Sequence, residues 1–255
     1  MSRARTRVIP CLLLKGDSLV KSVKFKDYRY IGDPINTVRI FNELEVDELV
    51  FLDITASKES RSPNFKLLEN IASECFMPLA YGGGLRTLSD VRTIFNIGFE
   101  KVVINSAAFS NPDLIPEIVE IYGSQAVVGS IDYKSNIFKR FHVYSNGGSK
   151  KQDPSPKEWA SHLETKGVGE ILLTSIERDG TWNGYDIKMV KEISQSLSVP
   201  LIANGGAGTV EHLGEVVKMG GASAVAVGSM VVYQKKDMGV LVNFPDKNKL
   251  KDVLG

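Results

Sequence analysis

The sequence predicts an eight-stranded (β/α)8 barrel, the TIM-barrel architecture, and two observations carry that prediction. Short apolar or β-branched runs alternate with segments of helical period along the whole chain. The second half also repeats the first at a spacing of 122 residues, pairing Glu48 with Glu170, Pro78 with Pro200, Gly83 with Gly205, Thr87 with Thr209 and Ala107 with Ser229. Strict alternation implies a parallel sheet covered by helices. Two four-stranded halves then close it as a ring with pseudo-twofold symmetry.

The strand candidates are 7–14, 48–54, 78–81, 101–105, 125–132, 170–176, 200–204 and 223–229. Between them, 34–45 carries Ile35, Val38, Phe41 and Leu44 on one helical face. Residues 111–122 read as a helix capped by Asn111 with Pro112 in its first turn, 155–167 repeats a Ser-Pro opening, and 186–198 aligns Ile187, Val190, Ile193 and Leu197. Two stretches break the rhythm. Residues 15–33 form a long Lys-rich and aromatic connection after the first strand, and 133–155 reads as a short hairpin after the fifth. Both follow strands, so both belong to the C-terminal face, where barrels keep their sites.

A length of 255 residues suits one barrel domain spanning 1–255. With 31 basic against 30 acidic residues there is no general attraction to nucleic acid or to an anionic membrane. No apolar run reaches the roughly 18 residues of a spanning helix, and "MSRARTRVIP" lacks the apolar stretch of a signal peptide. The expectation is a cytoplasmic protein. Cys11 and Cys75 read as buried thiols, and His142, His162 and His212 lack metal-site spacing, so no metal is expected.

Glycine-rich turns follow the third and seventh strands, "YGGGLRT" and "NGGAGTV", and each leads toward a helix. Small residues follow the fourth and eighth, "NSAA" and "GSM". Unhindered backbone N–H groups at such turns suit phosphate, which gives two symmetric cradles. One would use Gly84, Asn105 and Ser106; the other Gly206, Gly228 and Ser229, with Gly180 nearby. Asp53, Asp132 and Asp179 stand at strand ends, where a general acid or base must project, though each also suits a cap or turn. At the opposite ends, Arg7, Glu48, Lys101 and Glu170 alternate in sign at equivalent strand starts, as a salt-bridge ring across the floor or as solvated strand ends. Aligned on Lys15 and Lys134, "IPCLLLKGD" and "GSIDYKS" place Leu13 opposite Asp132.

The stretches "DELVFLDITAS", "GGG", "KVVIN", "GSQAVV", "GEILLTSIERDGT" and "GGAG" resemble the cyclase subunit of imidazole glycerol phosphate synthase, the HisF family, from about residue 5 to about 232. The resemblance implies a glutaminase partner docked on the barrel floor at the N-terminal face. Its ammonia would cross the core to the C-terminal mouth and react with a bis-phosphorylated ribulosyl imidazole-carboxamide, giving imidazole glycerol phosphate and AICAR. It implies no cofactor. It makes Arg7, Glu48, Lys101 and Glu170 the ammonia gate, and Gly84, Asn105, Ser106, Gly180, Gly206, Gly228 and Ser229 the phosphate-binding set. Ser106 stands for a threonine, Gly228 for another small residue, and Asn204 for a serine of the second phosphate site. Of the family's two catalytic aspartates one matches Asp132, and the other falls on Leu13.

"PCLLLKGD" and "GVLVNFP" are similar to the WbuZ-type paralogues of that family, associated with amidation of surface sugars. The leading expectation is therefore an ammonia conduit that also docks a sugar amidotransferase at its C-terminal face. The competing one is a cyclase of histidine biosynthesis. Whether the chain is itself an enzyme turns on Leu13.

Overall fold

A computed structural model describes residues 5–255. Twelve strands form its sheet: β1 (Arg7–Lys15), β2 (Ser18–Val23), β3 (Lys26–Gly32), β4 (Leu49–Asp53), β5 (Leu79–Gly82), β6 (Lys101–Ile104), β7 (Val127–Ser135), β8 (Phe141–Ser145), β9 (Lys150–Lys151), β10 (Glu170–Ser175), β11 (Leu201–Asn204) and β12 (Ala224–Val227). Eight of them run parallel in the order β1, β4, β5, β6, β7, β10, β11, β12. The last returns to the first through Arg7 opposite Ala224 and Ile9 opposite Ala226, which closes the barrel.

Alternation along each strand divides the apolar residues into two cores. On β1, Val8, Leu12 and Leu14 face the helices, while Ile9 and Cys11 face the interior with Val50, Ala80, Val103, Val128 and Leu172. The internal repeat persists as register. Val50 stands opposite Ala80 as Leu172 stands opposite Ile202, and Leu52 opposite Gly82 as Thr174 stands opposite Asn204.

The outer layer is α1 (Pro34–Glu43), α2 (Phe65–Ser73), α3 (Leu88–Ile97), α4 (Ser106–Ser110), α5 (Leu114–Tyr122), α6 (Pro156–Thr165), α7 (Ile187–Ser194) and α8 (Val210–Lys218), with α9 (Lys247–Leu254) against α8. Several starts are fixed by side-chain caps. Asp33 accepts from the Asn36 N–H at 2.8 Å, and capping boxes join Thr87 with Asp90 and Ser155 with Glu158. No helix is long and apolar enough to cross a membrane among the described residues.

Three local expectations are corrected. The helix expected over 111–122 begins at Leu114, because Asn111 instead ends α4 and its side-chain amide donates to the Arg86 carbonyl at 3.4 Å. The helix expected over 186–198 ends at Ser194, whose hydroxyl lies 2.7 Å from the Gly220 carbonyl and donates to it. The connection 15–33 is no loop but an antiparallel hairpin, β2 and β3, continuing from β1. Leu19, Val20, Lys21 and Ser22 are buried on it, so the hairpin folds over the mouth rather than standing in solvent. The hairpin expected within 133–155 is present as β7, β8 and β9. Lys15 and Lys134, the two aligned lysines, each lie over a tyrosine ring of their own excursion, Tyr28 at 4.9 Å and Tyr144 at 4.2 Å.

Candidate functional site

The floor is closed by a ring of four charges. Arg7 donates to Glu48 at 2.5 Å and to Glu170, and Lys101 reaches Glu48 at 3.1 Å and Glu170 at 3.1 Å. Each cation bridges both carboxylates, so the ring is continuous. Burial pulls the Arg7 guanidinium down, but Glu170 and Glu48 outweigh it and leave its pKa raised. Above this ring the interior is apolar: Ile9, Val50, Ala80, Val103, Val128, Leu172, Ile202, Ala224 and Ala226, with the Cys11 thiol among them. Burial pushes that thiol up to about 11, so it stays protonated at neutral pH.

At the C-terminal end the interior opens into a cavity lined by all seven residues of the expected phosphate set, together with Leu13, Asp132 and Asp179. Gly84 (φ 71°) and Gly206 (φ 111°) hold left-handed backbone, and a Cβ on Gly206 would lie 2.2 Å from the Gly184 carbonyl oxygen. The Ser106 hydroxyl is engaged by the Asn146 N–H at 3.0 Å, which ties the β8–β9 turn to the first cradle. The side-chain amide of Asn105 donates to Asp132 at 3.1 Å, so this residue also positions the carboxylate.

Asp132 lies in the mouth with its titration displaced. Burial, and then the nearby Asp179 charge, push its carboxyl up to about 7, against the pull of a Thr174 hydrogen bond. A carboxyl near neutrality can take and return a proton at physiological pH. Leu13 lines the same cavity and supplies hydrocarbon where Asp132 supplies oxygen. The other two strand-end aspartates are committed elsewhere. Asp53 accepts from the N–H groups of Thr55 and Ala56 at 3.1 Å and is paired with Arg61 at 2.8 Å, which makes it a turn cap. Asp179 accepts from the Ser22 hydroxyl at 2.7 Å, and its backbone carbonyl accepts from the Lys24 N–H at 2.9 Å, so it anchors the hairpin.

Sequence reasoning missed Lys21. It is buried in β2, its ammonium donates to the Cys11 carbonyl, and it lines the mouth. Burial lowers its pKa, while Cys11 and Asp179 hold it up. The signal was the apolar company of "SLVKSV", in which no neighbour explains a lone lysine.

The family model described as "Histidine biosynthesis protein" matches residues 7–237, the whole barrel from floor to mouth. The chain belongs to the histidine biosynthesis protein family. Within that family it is 50% identical over 246 residues to "Putative imidazole glycerol phosphate synthase subunit hisF2" of Pseudomonas aeruginosa, covering 96% of this chain and 98% of the relative. It is 44% identical over 253 residues to "Imidazole glycerol phosphate synthase subunit HisF" of Leptospira biflexa, covering 95% and 99%. A "HisF" subunit of the same synthase from Hydrogenobaculum is 43% identical over 244 residues, covering 96% and 97%. The chain is thus a HisF-like subunit, similar throughout its length to relatives named as components of this synthase.

Proposed function

We propose that this chain is the ammonia-accepting barrel of a glutamine-dependent synthase of the imidazole glycerol phosphate synthase type. One observation carries the reading: a continuous ring of Arg7, Glu48, Lys101 and Glu170 at one end of an apolar interior, with Asp132 at the other. Neutral ammonia can pass such an interior, whereas an ammonium ion would lose its hydration there without compensation. A glutaminase docks on the floor, where opening of the ring admits the ammonia. The chain needs that partner or free ammonium, since Cys11 is buried as a thiol and Cys75 donates to the Met77 carbonyl with its pKa raised by burial, so neither is an activated nucleophile.

At the mouth, Gly84, Asn105 and Ser106 hold one phosphate of an elongated ligand, and Gly180, Gly206, Gly228 and Ser229 hold the other. The length between the two cradles sets the ligand across Asp132. Asp132 then accepts a proton from the attacking amine and returns one to the leaving group. The relatives' names favour the bis-phosphorylated ribulosyl imidazole-carboxamide as ligand, with imidazole glycerol phosphate and AICAR as products, in histidine biosynthesis.

Leu13 favours a second reading, in which the mouth releases ammonia to an acceptor held by a sugar amidotransferase on the C-terminal face, for acetamido-to-acetamidino conversion in surface polysaccharide. Losing one positioned proton-transfer group costs roughly 10²–10⁴ in rate. Purified protein given ammonium and the bis-phosphate separates the two. AICAR formation at an ordinary cyclase rate supports the first reading. Negligible formation that Leu13→Asp restores supports the second, and no formation by either form removes the bis-phosphate as ligand.

A further inference from the structure

Thr174 lies near the end of β10, 3% exposed, in register with Asp132 on β7 and with Asn204 on β11. The Asn204 side-chain amide donates to its hydroxyl oxygen at 3.1 Å. That oxygen carries a single proton, and with Asn204 as its donor the proton is left for an acceptor on the other side. The Asp132 carboxyl stands on that side, one strand spacing of about 4.8 Å away, and all three side chains line the mouth.

The barrel itself does not require this row of polar groups. In the first half-barrel the equivalent positions, 122 residues earlier, are Leu52 and Gly82, which pair in the same register without a hydroxyl or an amide. The polar row accompanies the carboxyl. From the β6 side, Asn105 adds its own amide, which donates to Asp132 at 3.1 Å, so the carboxyl is addressed from both neighbouring strands by neutral groups. The charged and titratable groups around it are engaged elsewhere. Lys21 donates to the Cys11 carbonyl, Asp179 accepts from the Ser22 hydroxyl at 2.7 Å, and Tyr144, the β8 partner of Asp132, carries Lys134 over its ring at 4.2 Å. The Cys11 thiol lies on the interior side.

We infer that Asn204 is a positioning residue for Asp132 and acts through Thr174: its amide fixes the hydroxyl so that the single proton of Thr174 is directed at the carboxyl. A proton so directed favours the carboxylate and offsets part of the burial that pushes Asp132 up. It also holds the carboxyl in one orientation toward a ligand in the mouth. The inference rests on the reading of Asp132 as the proton carrier, and it deepens that reading by naming what sets its basicity.

Side-chain carboxyl NMR titration of Asp132 in the full chain tests the relay with no ligand present. Asn204→Leu removes the amide donor, and Thr174→Val removes the hydroxyl. Each is expected to raise the Asp132 midpoint by about one pH unit, a tenfold change in its ionisation constant. The double variant should raise it no further than Thr174→Val alone, since Asn204 works only through the hydroxyl. Asn204→Ser, whose hydroxyl is one bond shorter than the amide, should shift the midpoint as Asn204→Leu does, and it replaces the leucine variant if that one does not fold. An unchanged midpoint in the Asn204 variants, or additive shifts in the double variant, would overturn the inference. The pH profile of ammonium-dependent turnover separates it from the reading beneath it. A profile that moves with the carboxyl midpoint supports both, whereas a midpoint that moves under an unmoved profile supports the relay and rejects Asp132 as the proton carrier.

Discussion

Leu13 and Asp132 occupy equivalent rungs of the two half-barrels. Leu13 pairs across β1 and β4 with Leu52, and Asp132 pairs across β7 and β10 with Thr174. The difference extends along the rim. Leu52 is followed by Gly82, while Thr174 is followed by Asn204, whose amide donates to the Thr174 hydroxyl at 3.1 Å. At this rung one half-barrel therefore presents hydrocarbon and the other a hydrogen-bonded pair, and burial leaves the Asp132 charge poorly solvated.

A carboxylate installed at Leu13 would face Asp132 across one cavity. Two like charges there cannot ionise independently, so one carboxyl must titrate later than Asp132 does alone. In Leu13→Asp the later step is expected above the value of about 7 that burial gives Asp132. Side-chain carboxyl NMR titration measures it directly. An unshifted Asp132 titration would mean that residue 13 does not address the same space.

The raised Asp132 pKa also sets a pH dependence of stability. Below about pH 4 the group is protonated in both folded and unfolded chains, since its ordinary value is 3.8 and its folded value about 7. Between those values the folded chain holds a proton that the unfolded chain has released, so Asp132 costs stability progressively as pH rises, and fully above about 7. Asp132→Asn removes that cost. Its melting temperature relative to the unaltered protein should climb from pH 4 to pH 7 and then level, while ammonium-dependent turnover falls. A pH-independent difference in thermal melts would contradict the burial of this charge.

The barrel was legible in the sequence because its evidence is periodic. Eight apolar runs and the pairing of Glu48 with Glu170 and Gly83 with Gly205 survive as strands and as register. The charged floor was legible as a pattern, and only the geometry shows each cation bridging two carboxylates. Residues 15–33 misled because a buried Lys21 looks like any surface lysine until Asp179, 158 positions later, is placed beside its strand. Asp53 left two readings open in the sequence. A strand-end carboxylate and a turn cap share one sequence signature, and Arg61 decides between them.

Glu48 is the most buried member of the floor ring and serves both Arg7 and Lys101. Removing it in Glu48→Ala leaves two cations sharing Glu170, and loss of one partner from such a network costs on the order of 3 kcal/mol. Urea unfolding at neutral pH measures that loss. Lys101→Gln is the milder change, because Arg7 still bridges both carboxylates. With a glutaminase partner present, it should lower the product formed per glutamine hydrolysed while leaving turnover with free ammonium intact. An unchanged ratio would exclude Lys101 from the passage of ammonia.

Gly180 joins the mouth to the hairpin above it. Its backbone is left-handed at φ 69°, and a Cβ there would lie 2.2 Å from the Ser22 carbonyl oxygen, a contact that only movement of β2 relieves. That movement would strain the Ser22 hydrogen bond to Asp179 and the Lys24 N–H bond to the Asp179 carbonyl, two of the polar ties between hairpin and barrel. Gly180→Ala should therefore loosen the hairpin without opening the barrel. The expected result is hydrogen exchange of residues 18–32 faster by roughly tenfold, with the amides of β4, β5 and β6 unchanged, since local opening draws on a smaller free energy than global unfolding. Uniform acceleration would instead make Gly180 a determinant of the whole barrel, and unchanged exchange would mean that the hairpin is not held at this contact.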